Sequence, residues 1–225
     1  MEYKSVVLFS GGLDSTTLLY RLLFEYENSV FPLSVNYGQR HEKELVSATN
    51  IVSRLRVVEN LDNLAPLKKY NLPTDLLKGS SLLGDGEIPE GHYAAESMKS
   101  TVVPGRNMIL LSLAVGYAQS VGAKSVYYAA HSGDHPIYPD CRPEFVSRMN
   151  ETTLLGYGVS IYAPFLLYSK WQIVKEGSGL SVPYELTWSC YKGQDKHCGK
   201  CGTCVERKEA FVLAGVKDPT EYEDS

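Results

Sequence analysis

A short apolar run passes into a glycine turn and then into a second apolar run in the stretch Val6-Val7-Leu8-Phe9-Ser10-Gly11-Gly12-Leu13-Asp14-Ser15-Thr16-Thr17-Leu18-Leu19. The first run is typical of a strand that is buried on both faces. After the turn, apolar residues recur at helical spacing, which predicts an amphipathic helix. The stretch therefore predicts a strand, a tight turn and a helix, the first unit of an α/β domain.

The turn between these two elements has the composition of an anion-binding loop. Gly11 and Gly12 can take positive φ and let the backbone approach a ligand closely. Asp14 and Ser15 occupy positions where a helix needs an N-cap. The N–H groups of such a loop point at one spot, in front of the positive end of a helix dipole. A phosphate site is predicted; an ordinary glycine-rich turn is the alternative.

The loop differs from the two best-known nucleotide-binding motifs. It matches neither G-x-x-x-x-G-K-[ST] nor G-x-G-x-x-G, so it lacks the lysine that reaches the β and γ phosphates in Walker-type sites. The order S-G-G-x-D-S after a first strand instead resembles the PP-loop, or N-type ATP pyrophosphatase, superfamily. This resemblance implies that ATP adenylates a substrate oxygen and that pyrophosphate is released.

Length and composition limit the class of protein. The chain has 225 residues, of which 44% are hydrophobic and 21% charged, so one large α/β domain with a small appendage is expected. The net charge of −4 argues against a broad nucleic-acid-binding face. No apolar run is long enough to span a bilayer, and the first strand leaves no room for a signal peptide. We expect a cytoplasmic protein with reduced cysteines, no membrane association and no direct nucleic-acid partner.

Strand-like and helix-like segments alternate along the rest of the chain. Further strands are predicted at 30–36, 56–59, 124–130 and 160–165. Further helices are predicted at 41–55, 106–121, 143–155 and 171–175. This order predicts an α/β fold with a mostly parallel sheet and helices on both faces, Rossmann-like and similar to the adenine nucleotide alpha hydrolases.

One long segment interrupts the alternation. Residues 65–100 are rich in glycine and serine and show no sustained hydrophobic period. A loop of this length inside a compact domain is usually functional or disordered. We expect a lid at 76–98, with a disordered insertion as the alternative.

Polar clusters follow predicted strands or begin a predicted helix at three places. They are Asn36-Tyr37-Gly38-Gln39-Arg40-His41, Val103-Pro104-Gly105-Arg106-Asn107 and His131-Ser132-Gly133-Asp134-His135-Pro136-Ile137-Tyr138-Pro139-Asp140-Cys141-Arg142. Parallel sheets bind ligands beyond the carboxyl ends of their strands, so the clusters are expected on the edge that carries the phosphate loop. Their donors, acceptors, aromatic rings and cations suit a planar ligand with a carboxylate. Each cluster alone could be a solvated turn.

Four of the five cysteines form a separate constellation: Cys190, Cys198, Cys201 and Cys204. Two C-x-x-C steps share their middle cysteine, and four thiolates suit a closed tetrahedral zinc site that adds folding energy without catalysis. Disulfides are the alternative, disfavoured in a cytoplasmic chain, and His197 could replace one sulfur. The remaining Cys141 is expected to pack or to line a pocket, since no base partner is evident.

Together these motifs closely resemble one family over nearly the whole chain. S-G-G-L-D-S, N-Y-G-Q-R-H, V-P-G-R-N, H-S-G-D-H…Y-P-D-C-R and W-S-C-Y…C-G-x-C-x-x-C…R are similar to the QueC family of 7-cyano-7-deazaguanine synthases. The loop alone indicates only the superfamily, whereas Y-P-D-C-R and the cysteine segment are far more specific. The chief departure is 76–97, so no lid contacts are carried over.

The resemblance implies conversion of 7-carboxy-7-deazaguanine and ammonia into 7-cyano-7-deazaguanine with two ATP, in queuosine or 7-deazapurine biosynthesis. The carboxylate is adenylated and ammonia displaces AMP; the amide oxygen is then adenylated, and loss of AMP leaves the nitrile. ATP, a structural zinc ion and a homodimer are implied. Mg²⁺ is expected to bridge phosphate oxygens, because a loop without lysine leaves their charge poorly neutralised.

Two other functions are alternatives. One is a PP-loop enzyme that modifies tRNA by thiolation or lysidine formation, although no tRNA-binding domain is identifiable and four cysteines look committed to zinc. The other is a non-catalytic module that binds a nucleotide or zinc. Formation of pyrophosphate and AMP with and without the deazaguanine acid and ammonia separates all three.

The resemblance and the polar clusters supply candidate site residues. The family's ATP-binding segment maps onto Leu8, Phe9, Ser10, Gly11, Gly12, Leu13, Asp14, Ser15, Thr16, Thr17 and Leu18. Candidate catalytic residues are Asp14, Arg106, Asp134 and Arg142. Candidate substrate-binding residues are Gln39, Arg40, His131, Tyr138 and Asp140. The ATP-binding domain is expected at 1–185 and the zinc-binding subdomain at 186–225.

Overall fold

Five parallel strands form the centre of the part of the chain that the structure describes. The structure is a computed structural model that covers residues 3–40, 43–73, 75–83, 86–93, 96–192 and 195–223. The strands are β1 (Lys4–Leu8), β2 (Ser29–Asn36), β3 (Lys68–Asn71), β4 (Ser125–Tyr127) and β5 (Ser160–Tyr162). They lie in the order β3-β2-β1-β4-β5, and each neighbouring pair is parallel. The predicted parallel sheet is confirmed.

Helices cover both faces of this sheet. They are α1 (Leu13–Phe24), α2 (Lys43–Ser53), α3 (Arg106–Val121), α4 (Pro143–Tyr157), α5 (Lys170–Gly179) and α6 (Gly202–Ala214). Successive strand residues point to opposite faces. Val7 of β1 accordingly packs with buried residues of α1, α2, α5 and α6, whereas Val6 packs with those of α3 and α4. The predicted two-faced α/β architecture is confirmed, and the carboxyl ends of the strands remain open to a ligand.

The predicted strand at 56–59 is wrong. A π-helical turn, Arg54–Val58, follows α2 there, and Val57 and Val58 are exposed. Paired valines suit a strand, but here they end a helix on the surface. The outer strand is β3, whose four residues are all exposed, so no apolar alternation marks it in the sequence.

The other predicted elements form where they were expected, although the strands predicted at 124–130 and 160–165 end earlier, as β4 and β5. The helix predicted at 106–121 is α3, and the helix predicted at 143–155 is α4. The helix predicted at 171–175 is part of the longer α5, which Ser169 and Gln172 begin as a capping box. The helix predicted at 41–55 is α2, and residues 41–42 lie outside the described ranges. No helix was predicted where α6 forms.

The segment expected to be a lid packs against the cysteine segment. Leu77, Leu82 and Ile88 are buried in one small core with the four cysteines. The Gly91 N–H donates to the Lys200 carbonyl at 3.0 Å. The described part of 76–98 therefore lies against the C-terminal segment. Within the ranges that the structure covers, no helix combines the length and the apolar character needed to cross a membrane.

Candidate functional site

A cleft of about 240 Å³ lies where β1, β2 and β4 end. This is the edge at which parallel sheets bind ligands. The predicted residues that line it are Leu8, Phe9, Ser10, Gly12, Leu13, Asp14, Ser15, Gln39, Arg106, His131, Asp134 and Tyr138. The structure therefore brings the loop and residues from all three polar clusters together in one cleft.

Gly11 gives the loop its shape. Its φ is +85°, and a Cβ there would collide with the backbone of Glu44 and Ala48 in α2. Glycine is therefore needed both for the left-handed backbone and for the close approach of a helix. The expectation of positive φ is wrong for Gly12, whose φ of −76° and ψ of 169° are those of extended backbone.

The helix after the loop begins differently from the prediction. Its N-cap is Gly12, which has no side chain to cap it, so Asp14 and Ser15 lie inside the first turn and the predicted capping role is wrong. The first intrahelical bond runs from the Thr16 N–H to the Gly12 carbonyl at 3.0 Å. The N–H groups of the three preceding residues, 13–15, have no acceptor within the helix. These amides, at the positive end of the dipole, form the predicted anion-binding feature.

Two serines brace the loop from inside. The Ser15 Oγ accepts a hydrogen bond from the Ser10 N–H at 3.3 Å. The Ser10 Oγ in turn accepts one from the Gly12 N–H at 3.1 Å. These bonds fix the backbone of the loop before any ligand arrives, which lowers the cost of ordering it around a phosphate.

A lysine that the sequence analysis missed lies beside the loop. The Lys170 Nζ is 2.8 Å from the Asp14 Oδ2 and 3.1 Å from the Glu206 Oε2. Burial alone would raise the pKa of Asp14, but Lys170, His131 and Arg207 together outweigh it, and the pKa lies below its usual value. Burial would lower the pKa of Lys170, but Asp14 and Glu206 together raise it. Asp14 and Lys170 are therefore charged at neutral pH.

One oxygen of Asp14 is left for a ligand. Among the described residues, the Asp14 Oδ1 is buried without a hydrogen-bond partner. A buried carboxylate oxygen without a partner is costly. Asp14 lines the cleft, so this oxygen lies close to the space that a ligand would fill. Such an oxygen is the kind of ligand that Mg²⁺ prefers.

His131 and Asp134 support each other next to the loop, where the His131 Nε2 lies 4.0 Å from the Asp14 Oδ2. The His131 Nδ1 accepts from the Gly133 N–H at 3.1 Å, and the Asp134 Oδ2 accepts from the His131 N–H at 3.1 Å. The Asp134 Oδ1 accepts from the Tyr93 hydroxyl at 3.0 Å. The His131 Nε2 lies 3.4 Å from the Lys170 Nζ. Both predicted residues thus line the cleft while holding its wall in shape.

Arg106 lies in an aromatic part of the cleft. Its Nη1 donates to the Tyr37 hydroxyl at 3.3 Å, and its guanidinium lies 5.7 Å from the centre of the Tyr37 ring. Tyr138 and Tyr191 line the cleft as well. No carboxylate of the described residues forms an ion pair with Arg106. Burial opposes its charge, but the neighbouring tyrosines keep the pKa of Arg106 above its usual value. The cleft thus contains a cation that is free to meet an anionic ligand.

Three of the predicted catalytic and substrate-binding residues lie outside the lining of the cleft. Arg142 is exposed, and its Nε donates to the His135 carbonyl at 2.9 Å. Arg40 is exposed too and donates to the Gly86 carbonyl. The Asp140 Oδ2 accepts from the Asn107 N–H at 3.1 Å, so it serves the N-terminus of α3.

Residues 16–18, at the end of the predicted ATP-binding segment, contact the protein interior instead of the cleft. The Thr17 Oγ1 donates to the Leu13 carbonyl at 3.0 Å and lies 3.1 Å from the Tyr184 hydroxyl. Thr16 donates to the Gly12 carbonyl at 2.8 Å, and Leu18 is fully buried. Together with Gly11, these residues lie behind the lining rather than in it.

The cleft also has lining residues that were not among the named candidate site residues, although three of them belong to the predicted polar clusters. They include Tyr37, Tyr93, Asn107, Tyr128, Cys141, Lys170, Trp188 and Tyr191. Cys141 meets its expectation of lining a pocket, and its thiol accepts from the Asn107 side-chain amide at 3.3 Å. A signal existed for Lys170, which follows the predicted strand at 160–165 and begins a helix. No sequence pattern marked Glu206, which pairs with Lys170, as a site residue.

The four cysteines gather in a buried cluster. Their sulfur atoms all lie within 4.8 Å of one another, and all five cysteines are free thiols. The Cys198 Sγ accepts from the N–H groups of Lys200 and Cys201 at 3.4 and 3.3 Å. Sulfur atoms at this spacing, with N–H donors around them, fit a tetrahedral metal site. The predicted grouping is confirmed, and the four residues can hold a metal ion.

His197 does not take the place of a sulfur. Its Nε2 accepts from the Ser189 N–H at 3.0 Å, and its ring lies 4.2 Å from the ring of Trp188. The histidine therefore supports the loop that carries Cys190 rather than joining the sulfur cluster, which leaves the four-sulfur alternative.

A solved structure shares the fold. It is the U34-tRNA thiolase NcsA from Methanococcus maripaludis with its 4Fe-4S cluster, at a TM-score of 0.52 and 12% identity, covering 94% of this chain and 64% of that chain. At this identity the similarity concerns the fold alone.

Sequence comparisons are more specific. The family model described as "Queuosine biosynthesis protein QueC" matches residues 4–215. A 7-cyano-7-deazaguanine synthase of Pseudoalteromonas atlantica is 54% identical over 99% of this chain and 100% of its own length. The 7-cyano-7-deazaguanine synthase 1 of Colwellia psychrerythraea is 52% identical over 99% and 100%. With matches of this extent, the chain belongs to the QueC family.

Proposed function

We propose that this protein is an ATP-dependent C–N ligase that converts 7-carboxy-7-deazaguanine and ammonia into 7-cyano-7-deazaguanine. Its relatives of the same length carry that name. The observation that carries the proposal is one cleft with an anion-binding helix end and an arginine among tyrosines that pairs with no carboxylate of the described residues. Such a cleft suits ATP together with a flat acid.

The loop is the proposed site for the phosphates of ATP. The amides at the start of α1 would hydrogen-bond phosphate oxygens, and Lys170 would add positive charge beside them. These groups would stabilise pyrophosphate as it leaves, which each adenylation requires. We also propose Mg²⁺, which when bound would neutralise part of the phosphate charge. The free Asp14 Oδ1 is the candidate to hold it.

Arg106 is the proposed partner of the substrate carboxylate. A guanidinium matches a carboxylate in two parallel hydrogen bonds, and the ring of a deazaguanine can stack on tyrosine. Arg106 would thereby hold one carboxylate oxygen toward the phosphates of ATP. Side chains that enclose the acid would also keep water from the acyl adenylate until ammonia displaces AMP. The same pocket would hold the amide during the second adenylation.

The segment 76–98 is proposed to be a lid, and 1–185 and 186–225 to be the ATP-binding domain and the metal-binding subdomain. Tyr93 supports the lid, because it lines the cleft and hydrogen-bonds to Asp134. We propose that the metal is zinc, since four thiolates favour it. Free thiols suit a cytoplasmic protein, and the family resemblance implies a homodimer, which sedimentation would test.

The test is a measurement of AMP, pyrophosphate and product mass with purified protein. We expect two AMP for each nitrile, and pyrophosphate only when both ATP and the acid are present. A requirement for tRNA would instead favour a tRNA-modifying enzyme. ATP binding without acid-dependent pyrophosphate would favour a binding module. Either result would overturn the proposed reaction.

A further inference from the structure

A buried line of charged groups joins the cysteine cluster to the phosphate loop. Glu206 lies on α6, two residues after Cys204, and its side chain is only 12% exposed. Its carboxylate lies 3.1 Å from the Lys170 ammonium, which lies 2.8 Å from the Asp14 carboxylate. Three helices, α6, α5 and α1, therefore each contribute one charged group to a single contact beside the cleft, which Asp14 and Lys170 line.

Charge neutralisation alone does not explain Glu206. Asp14 already supplies one negative charge for the one positive charge of Lys170. A second carboxylate adds the cost of burying another ion, and it opposes a polyphosphate that approaches the loop. The cost of Glu206 therefore calls for a role other than neutralising the lysine.

The geometry indicates what that role is. A lysine ammonium sits at the end of a flexible stem, so a single partner leaves it free to swing. Two carboxylates on different helices restrict it to one place. Glu206 has little room to move, because its side chain is only 12% exposed and its Oε1 packs so closely against Gly133 that a Cβ there would lie 2.9 Å away. Glu206 is thus a fixed point against which the lysine can be located.

We propose that Glu206 is a positioning residue that holds the Lys170 ammonium beside Asp14, ready for the leaving pyrophosphate. The cation that the loop lacks in sequence is supplied in space from α5, and its location is fixed by the helix that the cysteine cluster begins. The proposal rests on the proposed function, because pyrophosphate is the anion that the lysine would meet.

The test compares Glu206→Gln with Glu209→Gln, a matched control on the same helix whose carboxylate is half exposed and faces His92 at 3.9 Å. We expect Glu206→Gln to keep its metal content and melting temperature but to lower kcat by about tenfold to a hundredfold, because the ammonium is misplaced. KM for the acid should change by less than about twofold, since Glu206 does not meet it. Binding of inorganic pyrophosphate, measured by calorimetry, should weaken; Glu209→Gln should match the wild type.

A double variant shows whether Glu206 acts through Lys170. In a Lys170→Met background, Glu206→Gln should change pyrophosphate affinity by less than about twofold, because the group that it positions is gone. If the losses of pyrophosphate affinity in the two single variants multiply in the double variant, the proposal is overturned. Wild-type kcat and pyrophosphate affinity in Glu206→Gln would also overturn it. If Glu206→Gln fails to fold, Glu206→Asp draws the carboxylate back by one methylene. Wild-type behaviour of that variant would equally overturn it.

The pyrophosphate measurement needs no acid. If the wild-type protein makes no AMP from the acid, the proposed function fails. The affinities of the variants for pyrophosphate still decide the role of Glu206.

Discussion

Among single residues, Arg106 is the cation best placed to bind an anionic ligand. It carries its charge among tyrosines, with no described carboxylate paired to it. We expect Arg106→Ala to lower kcat/KM for the acid by at least about a hundredfold, because hydrogen bonds to a charged group are lost in a desolvated site. Acid-dependent pyrophosphate release measures the effect, and urea unfolding checks that the fold persists.

The matched control is Arg148→Ala. Arg148 lies on α4 with 81% of its side chain exposed and pairs only with Glu151 among its described neighbours. This variant should keep wild-type kcat/KM within about twofold, because surface ion pairs contribute little. Equal turnover in Arg106→Ala and Arg148→Ala would remove Arg106 from the substrate site.

Lys170 links stability to pH through Asp14. The pKa of Asp14 is lowered in the folded state by Lys170, so this pair stabilises the protein above the unfolded pKa of Asp14, about 4. The stabilisation is lost as pH falls through the lowered folded value. Lys170→Met should cost about 3–5 kcal/mol of unfolding free energy at pH 7, because it leaves buried carboxylates unpaired. The cost should shrink toward pH 3, where the carboxylates take up protons.

Urea unfolding at pH 7, 5 and 3 measures this trend. Lys175→Met, on an exposed position of the same helix, serves as the control and should change stability little at every pH. A cost for Lys170→Met that stays constant down to pH 3 would contradict the charge coupling between Lys170 and Asp14.

Residues next to a strand end could be predicted, and residues brought in by helix docking could not. Asp14, Arg106 and His131 each follow a strand or begin a helix, so the rule for parallel sheets places them at one edge. Glu206 reaches the same edge only because α6 docks on α5, and no local pattern encodes that docking. The exposed Arg142 shows the reverse case, since a polar cluster also contains residues that face away.

Among the elements, α6 matters most for function, because it links the cysteine cluster to the charged residues beside the loop. Cys201 is its N-cap and Cys204 lies in its first turn, so a bound metal would hold the start of the helix. Removal of the metal by a chelator should lower the melting temperature and weaken pyrophosphate binding, because Glu206 lies only two residues after Cys204 on this helix. Metal analysis, thermal unfolding and calorimetry on the same sample measure the three effects.

Single cysteine variants give the matched comparison. Cys198→Ser should lose the metal, whereas Cys141→Ser should keep it, because Cys141 is outside the cluster. Full metal content in Cys198→Ser would contradict the four-sulfur site. Full pyrophosphate affinity in a metal-free but folded sample would show that the cysteine cluster does not affect anion binding at the loop.

The elements that could be predicted are those that bury apolar residues along one continuous face. The helix α3 matches its prediction at both ends, because its apolar stripe is continuous. The edge strand β3 buries nothing and could not be predicted from hydrophobic alternation. The valines 57 and 58 show the opposite error, since β-branched residues at an exposed helix end imitate a strand.

Across the whole molecule, the cleft is a meeting point of segments far apart in the chain. The loop after β1, the N-terminus of α3, the start of α5 and the C-terminal α6 all reach it. The sequence indicates the first two because each carries a polar motif at a strand or helix end. The tertiary arrangement adds the last two, together with Tyr93 from the long segment 76–98.

That segment is the part of the molecule expected to respond to ligands. It touches the cleft through Tyr93 and the C-terminal segment through Gly91. Addition of ATP and the acid should slow amide hydrogen exchange in 76–93, because a filled cleft holds the contact surface closed. Exchange in the middle of α4, away from the cleft, should not change and serves as the internal control.

Tyr93→Phe sharpens the test because it removes only the hydroxyl that donates to Asp134 at 3.0 Å. A hydrogen bond to a charged group contributes about 1.5–3 kcal/mol, so exchange in 76–93 should speed up and kcat/KM should fall by about tenfold or more. Exchange that is the same with and without ligands, in both proteins, would make this segment a fixed wall of the cleft. The shielding of the acyl adenylate from water would then have to come from the other residues that line the cleft.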